Sequence, residues 1–239
     1  IARHRKVSGQ QTDYAMLIAS LSPHSMSLWD VKSKPVTRLH LERRLALLNN
    51  QDRQQLAEIE TNLHWAKMST ENNDVEISIA AEHIIQSLEK PLLQEVIIWR
   101  MELRTIMAAI RRRKLGKDAP AKNERWGYGQ VVPFIRKNWQ IDDFSLNHRF
   151  AWVSHANTLF IENKSVELEK LLLNLSWEHY ESIGHSHYFD FEAVVIYVLR
   201  WNIVSRWTQC HEQEAMQQFE LLVKNGLGDF TQQAEINTL

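Results

Sequence analysis

Five side chains close together, His179, His185, His187, Asp190 and Glu192, are the residues best suited to metal chemistry. Imidazole and carboxylate donors together suit Zn²⁺ or another borderline divalent ion. Their placement argues against a fixed coordination shell, because His179 falls on a helix while His185 and His187 fall in the loop after it. The expectation is helix-end and surface histidines with no bound metal. Glu102 and Glu192 lie on strongly apolar helices, where burial could prepare a carboxylate pair for acid–base work. Structural ion pairs with Arg104, Arg100 or Arg200 are the better-founded expectation for them. Cys210, the one cysteine, has only His211 beside it, and sequence neighbours on a helix point in different directions. A single cysteine excludes an intramolecular disulfide and a thiolate cluster, and suits a reducing cytosol. The chain has no glycine-rich phosphate loop, no Gly-x-Ser-x-Gly elbow and no His-Glu-x-x-His. Trp126-Gly127-Tyr128-Gly129 follows no strand and reads as a turn with aromatic anchors. These residues predict a protein that is not an enzyme and needs no cofactor.

Charge is the stronger signal. The 239 residues carry a net charge of only −1, yet Arg100 to Lys137 holds eleven Lys/Arg against three Asp/Glu, a local +8. From Glu162 to the end, five Lys/Arg face twelve Asp/Glu, a local −7. Opposed charge in two halves is a signature of assembly as much as of nucleic-acid binding. The basic run Arg111, Arg112, Arg113, Lys114 and Lys117 is the candidate contact surface for a protein partner. A solvated surface of this kind predicts that reversing three of the charges weakens association and leaves the melting temperature nearly unchanged. With Lys122, Arg125, Trp126 and Tyr128 beside it, the same run is also the basis of the alternative, a nucleic-acid-binding helical module. A sequence pI near 6.9 and the dipole preference for cations at a helix end speak for the protein partner, with no nucleic acid expected.

The elements that must position these residues read as helix after helix. Leu41, Leu45 and Leu48 follow a Thr37 cap, and Asp52 is placed to cap a helix carrying Leu56, Ile59 and Leu63. Ser69 to Asp74 reads as a polar linker. Val75, Ile77 and Ile79 alternate like a strand, but Ala81, Ile84, Ile85 and Leu88 continue with helical spacing, which favours helix. Pro91 to about Lys114 is the best-specified helix: proline at its first turn, one stripe of Leu92, Val96, Trp99, Leu103, Ile106 and Ile110, cations in the last turn, then Gly116. Pro133 opens a short helix through Trp139, and Ser165 caps one that stops near Gly184. Phe189 to Trp207 is apolar almost all round, the mark of a helix buried on several sides. A last helix is expected from Glu212 to Asn225. The longest apolar run, Ala193 to Leu199, is seven residues, whereas a spanning helix needs ~20, so no membrane insertion is expected. An offset of 100 residues lays Arg100 on Arg200 with matching apolar neighbours, a faint hint of a repeat. The predicted fold is all-α, an elongated multi-helix body of two or three small helical subdomains. Residues 1–13 read as an N-terminal extension, 14–116 and 130–230 as helical subdomains, 117–129 as the linker and 231–239 as a frayed tail.

Tyr14-Ala15-Met16-Leu17-Ile18-Ala19-Ser20-Leu21-Ser22-Pro23 resembles the N-terminal segment of an uncharacterised bacterial family encoded among V/A-type ATPase subunit genes. The resemblance continues in Trp99-Arg100-Met101-Glu102-Leu103-Arg104-Thr105-Ile106, Arg111 to Arg113, Trp126 to Gly129, Arg136 to Trp139 and His148 to Phe150. It closes in His187 to Ala193 and Tyr197 to Trp201. It implies a fold and role like those of the V/A-type ATPase C-subunit: a non-catalytic socket between the central stalk and the membrane rotor ring. Those ATPase subunits would be the partners, and the protein would be cytoplasmic, held peripherally at the inner membrane through them. No catalytic residue carries over from the resemblance. Nine tryptophans, a residue enriched at interface hot spots, suit an adaptor.

Overall fold

The computed structural model describes residues 12–63 and 74–210. Every regular element among them is helical: α1 (12–19), a single 3₁₀ turn (Leu28–Asp30), α2 (Arg38–Leu45), α3 (Asn50–Leu63), α4 (Asp74–Ser87), α5 (Pro91–Lys114), α6 (Val131–Lys137), α7 (Trp152–Ile161), α8 (Ser165–Gly184) and α9 (191–210). The fold is all-α. The expected helix from Glu212 to Asn225, the 231–239 tail and nearly all of the polar linker after Ser69 lie outside the described residues.

Local chemistry explains most boundaries. Thr37 accepts from the His40 N–H at 3.3 Å and starts α2. The cap of α3 is Asn49, whose side chain accepts from the Asp52 N–H at 2.8 Å. Asp52, the expected cap, is 9% exposed and instead accepts from the Tyr14 hydroxyl, pinning α1 to α3. Helix spacing prevails over the strand-like alternation in α4. α5 has the bounds predicted for it, with Pro91 in its first turn and Gly116 at φ +68° beyond its end. A helix at 152–161 and one at 12–19 were not anticipated; α7 has no side-chain cap to announce it.

α5 is the hub. It packs against α3, α4, α6, α7 and α8. From Arg100 to Ile110 every residue is buried, Arg100, Glu102 and Arg104 included. Between Arg100 and Ile110 the single stripe expected of α5 is therefore corrected to a stretch enclosed on all sides, which places charges where they need partners. Two apolar clusters divide along it. Leu93 to Met101 join α2, α3, α8 and α9 around Trp177 and Trp207; Leu103 to Ile110 join α6, α7 and the first turns of α8 around Phe144. The segment 20–36 straps α9: the Tyr197 hydroxyl donates to Ser22 O at 2.8 Å and Trp201 Nε1 donates to Val36 O at 2.8 Å. The two arginines of the suggested repeat reach neighbouring positions of α8, Arg100 at the Ser176 hydroxyl and Arg200 over the Trp177 ring. No helix of the described residues is long and apolar enough to cross a membrane.

Candidate functional site

The cations at the end of α5 are bonded within the chain to a degree that the sequence did not suggest. Arg112 forks onto Glu124, 2.7 and 3.3 Å, and donates to Asp118 O at 2.9 Å. Arg113 donates to Ile141 O at 2.6 Å, Asp142 O at 2.8 Å and Asn157 Oδ1 at 3.0 Å, and lies 4.4 Å from the Phe144 ring centre. Burial lowers its pKa. Lys114 donates to Phe160 O at 2.6 Å and Asn163 Oδ1 at 2.7 Å. Arg111 is half-buried and turns toward a cavity described below, and Lys117 is exposed. Three of the five cations thus hold backbone carbonyls elsewhere in the chain: Arg112 in the segment after α5, Arg113 in the connection between α6 and α7, and Lys114 in the last turn of α7. Reversing Arg112, Arg113 and Lys114 would break these bonds. The melting temperature would fall, contrary to the expectation from a solvated run.

A second group ties the 117–129 segment, expected as a linker, onto the middle of α5. Trp126 is buried in the apolar cluster around Phe144. Thr105 Oγ1 accepts from the Tyr128 N–H at 2.8 Å, and Glu102 Oε1 accepts from the Gln130 N–H at 3.0 Å. Gly127 and Gly129 sit at φ +69° and +82°, a region that L side chains avoid. Both press on α5 closely enough that an added Cβ would lie 2.6 Å from Thr105 or Glu102. The second Glu102 oxygen accepts from Arg149 at 3.2 Å. The partner expected for this carboxylate was Arg100, Arg104 or Arg200; the structure supplies Arg149 and a backbone N–H. Glu192 is paired with Lys90, which again was not among the expected partners.

The three histidines do not converge. His179 stacks on Trp99, ring centres 4.0 Å apart and planes within 8°. Its Nε2 is buried away from any polar partner among the described residues, and burial lowers its pKa to about 4. His185 Nδ1 turns back to Glu181 O. What does converge is His187, Asp190 and Glu192, with one ligand-capable atom from each within 4.8 Å of the others. Each has a local task. Asp190 accepts from the Ala193 N–H at 2.9 Å as the cap of α9, His187 Nδ1 lies 2.7 Å from its other oxygen, and Lys90 holds Glu192. The Lys90 ammonium competes with any cation for that carboxylate. Asp190→Ala is expected to cost about 1 kcal/mol of stability as a lost cap, measured by urea unfolding. The cost should be the same with and without added zinc; a zinc-dependent difference would identify a metal site.

Sequence reasoning did not group Arg100, Ser176 and Tyr180. They line one cavity with residues of α3, α7 and α9, and the only signal for it was a charge on an otherwise apolar helix.

The sequence model of a family described as Protein of unknown function (DUF2764) matches residues 82–226. That span contains α5 to α9, the glycine clasp on α5 and the His187–Glu192 group. No curated protein and no solved structure matches the chain.

Proposed function

This chain belongs to the DUF2764 family, and from that premise we propose that it is a non-catalytic, C-subunit-like component of a V/A-type ATPase, coupling the central stalk to the membrane rotor ring. The observation that carries the reading is the use made of the segments on which the resemblance to that ATPase component rests. Glu102 and Thr105 hold the glycine turn, while Tyr197 and Trp201 hold the strap at 22–36. Arg113 holds the chain between α6 and α7. These residues tie the connecting segments down onto α5 and α9, and a connector that passes torque needs such bracing. Polar contacts inside a packed body favour one arrangement over others, because each broken contact strands a buried group. Contact with partners would occur at the cytoplasmic side of the membrane, through the exposed cation Lys117 and its surroundings at the end of α5. Arg112, Arg113 and Lys114 are committed to internal bonds, which takes them away from a protein-partner surface and from the nucleic-acid alternative alike.

Affinity purification of the tagged protein from its own cells is expected to recover stalk or rotor subunits of a V/A-type ATPase. Lys117→Glu, a reversal in the basic run that breaks no bond described above, is expected to weaken that recovery several-fold, because opposed charges steer and select partners. The melting temperature should stay within about 1 °C, as for surface substitutions generally. Recovery of no ATPase subunit at any salt concentration would refute the reading.

A further inference from the structure

We infer that the segment 20–36 is an acid-sensitive latch: a proton on His24 releases it from α8 and α9 ahead of any unfolding of the helical body. Only the 3₁₀ turn Leu28–Asp30 gives this segment regular structure, so it is held by contacts with its neighbours. From α9 the Tyr197 hydroxyl, the Arg200 guanidinium and the Trp201 indole donate to the carbonyls of Ser22, Ser25 and Val36 at 2.8, 3.3 and 2.8 Å. Leu28 and Val31 enter the apolar cluster that holds Trp177, while Met26 and Trp29 face outward, 89% and 62% exposed. The packing of α5 against α3, α4, α6, α7 and α8 does not run through this segment. It can leave without dismantling the hub, as segments of low local stability do.

His24 is the fastening that a proton disturbs. Its Nε2 lies 3.0 Å from Tyr197 O. A carbonyl only accepts, so that nitrogen carries the proton of the neutral ring. Nδ1 is then bare, and it is buried with no polar partner among the described residues. The ring sits between Trp177 of α8 and Tyr197 of α9, centres 5.6 and 4.3 Å away. α9 also contributes the Arg200 guanidinium, 3.9 Å from the Trp177 ring centre, and the Tyr197 phenol stays protonated because burial pushes its pKa up to about 12. From α8, Glu181 acts on Arg200, and no carboxylate among the described residues acts on His24.

A proton on Nδ1 gives the docked ring a second N–H with no acceptor and places a cation beside Arg200. Both are costly in a buried site. In the released segment water carries the same proton without that cost. The released ring titrates near 6.5 and the docked ring at about 4. Docking is therefore fully favoured above about pH 6.5 and loses ground as the pH falls, because the released state binds more protons. This inference does not rest on the coupling role, and its test uses the isolated full chain without any ATPase component.

Hydrogen exchange, corrected for the intrinsic rate at each pH, reads the opening. The Trp29, Asp30 and Val31 amides, bonded to Ser27 Oγ, Ser27 O and Leu28 O, report on the segment, and the buried stretch of α5 reports on the body. The segment's opening constant is expected to rise roughly 30-fold from pH 7.5 to pH 5. At either pH it should depend little on low concentrations of urea, whereas exchange in α5 follows the urea dependence of global unfolding. In His24→Gln the acid-driven rise should shrink to within about threefold. Tyr197→Phe removes the hydroxyl bond to Ser22 O and leaves His24 in place, so it should open the segment further at both pH values and keep the rise. The inference is overturned if the segment shares the urea dependence of α5, if its opening does not respond to pH, if folded His24→Gln keeps the rise, or if Tyr197→Phe abolishes it.

Discussion

Replacing Gly129 by alanine is expected to destabilise the protein by about 2–5 kcal/mol, clearly more than replacing Gly116. Two costs add. At φ +82° an L side chain is strained by roughly 1–2 kcal/mol. The new Cβ would also lie 2.6 Å from Glu102 Cγ and 2.7 Å from its Oε1. Glu102 is 4% exposed and bonded to the Gln130 N–H and to Arg149, so it cannot swing away without stranding a buried carboxylate. Leaving such a group unsatisfied costs about 1–3 kcal/mol or more. Gly116 is the internal control: its φ is +68°, but a Cβ there meets nothing within 4 Å. Gly116→Ala should therefore cost only the backbone strain, about 1 kcal/mol. Urea denaturation of the two variants separates strain from collision. Equal losses would mean that the clasp between Gly129 and Glu102 contributes nothing to stability.

Mild acid should weaken the fold before its carboxylates protonate. His24 lies between Trp177 and Tyr197, edge-on to the first with centres 5.6 Å apart and 4.3 Å from the second. Burial, and then the nearby Arg200 charge, lower its pKa to about 4, and the contact with Tyr197 O opposes them only in part. An unfolded histidine titrates near 6.5. Between these values the unfolded chain binds a proton that the folded chain refuses, so stability rises with pH across the window. The contribution is complete above about pH 6.5, is lost progressively as the pH falls toward 4, and levels off below that. At about 1.4 kcal/mol per unit, His24 alone accounts for roughly 3 kcal/mol over the window. His179, half-buried against Trp99, acts in the same direction with a smaller amplitude because solvent screens it. Urea midpoints from about pH 7.5 to 4.5 should fall steeply for the native chain and less so for His24→Gln, which has no ring to charge. Parallel pH dependences would place the acid sensitivity elsewhere.

The helical fold was legible because its signals act over a few residues. Pro91 in the first turn, four cations in the last and Gly116 beyond them mark α5 to the residue. Periodicity decided correctly for helix over strand in α4. The misses are of the same local kind: α7 begins without a capping side chain, and Asn49 rather than Asp52 caps α3. A capping residue is chosen by a single hydrogen bond, and two neighbouring polar residues can each offer it.

What the chain composition determined by itself was therefore the element type, most boundaries and the opposed charge of its two halves. Which charges are spent inside was decided by the tertiary structure. The carbonyls that receive Arg113 and Lys114 come from residues 26 to 46 positions away. The carboxylate expected to pair with a neighbouring arginine pairs with Arg149, 47 positions on. His179 leaves the other histidines because Trp99 offers it a ring to stack on. The cavity takes its wall from α3, α5, α8 and α9, with Arg38 and Arg206 at its sequence extremes among the charged residues. Helix propensity and capping depend on neighbours within a turn or two. The pairing of buried charges depends on which helices meet and on distances of a few ångströms, and only the packed chain fixes those.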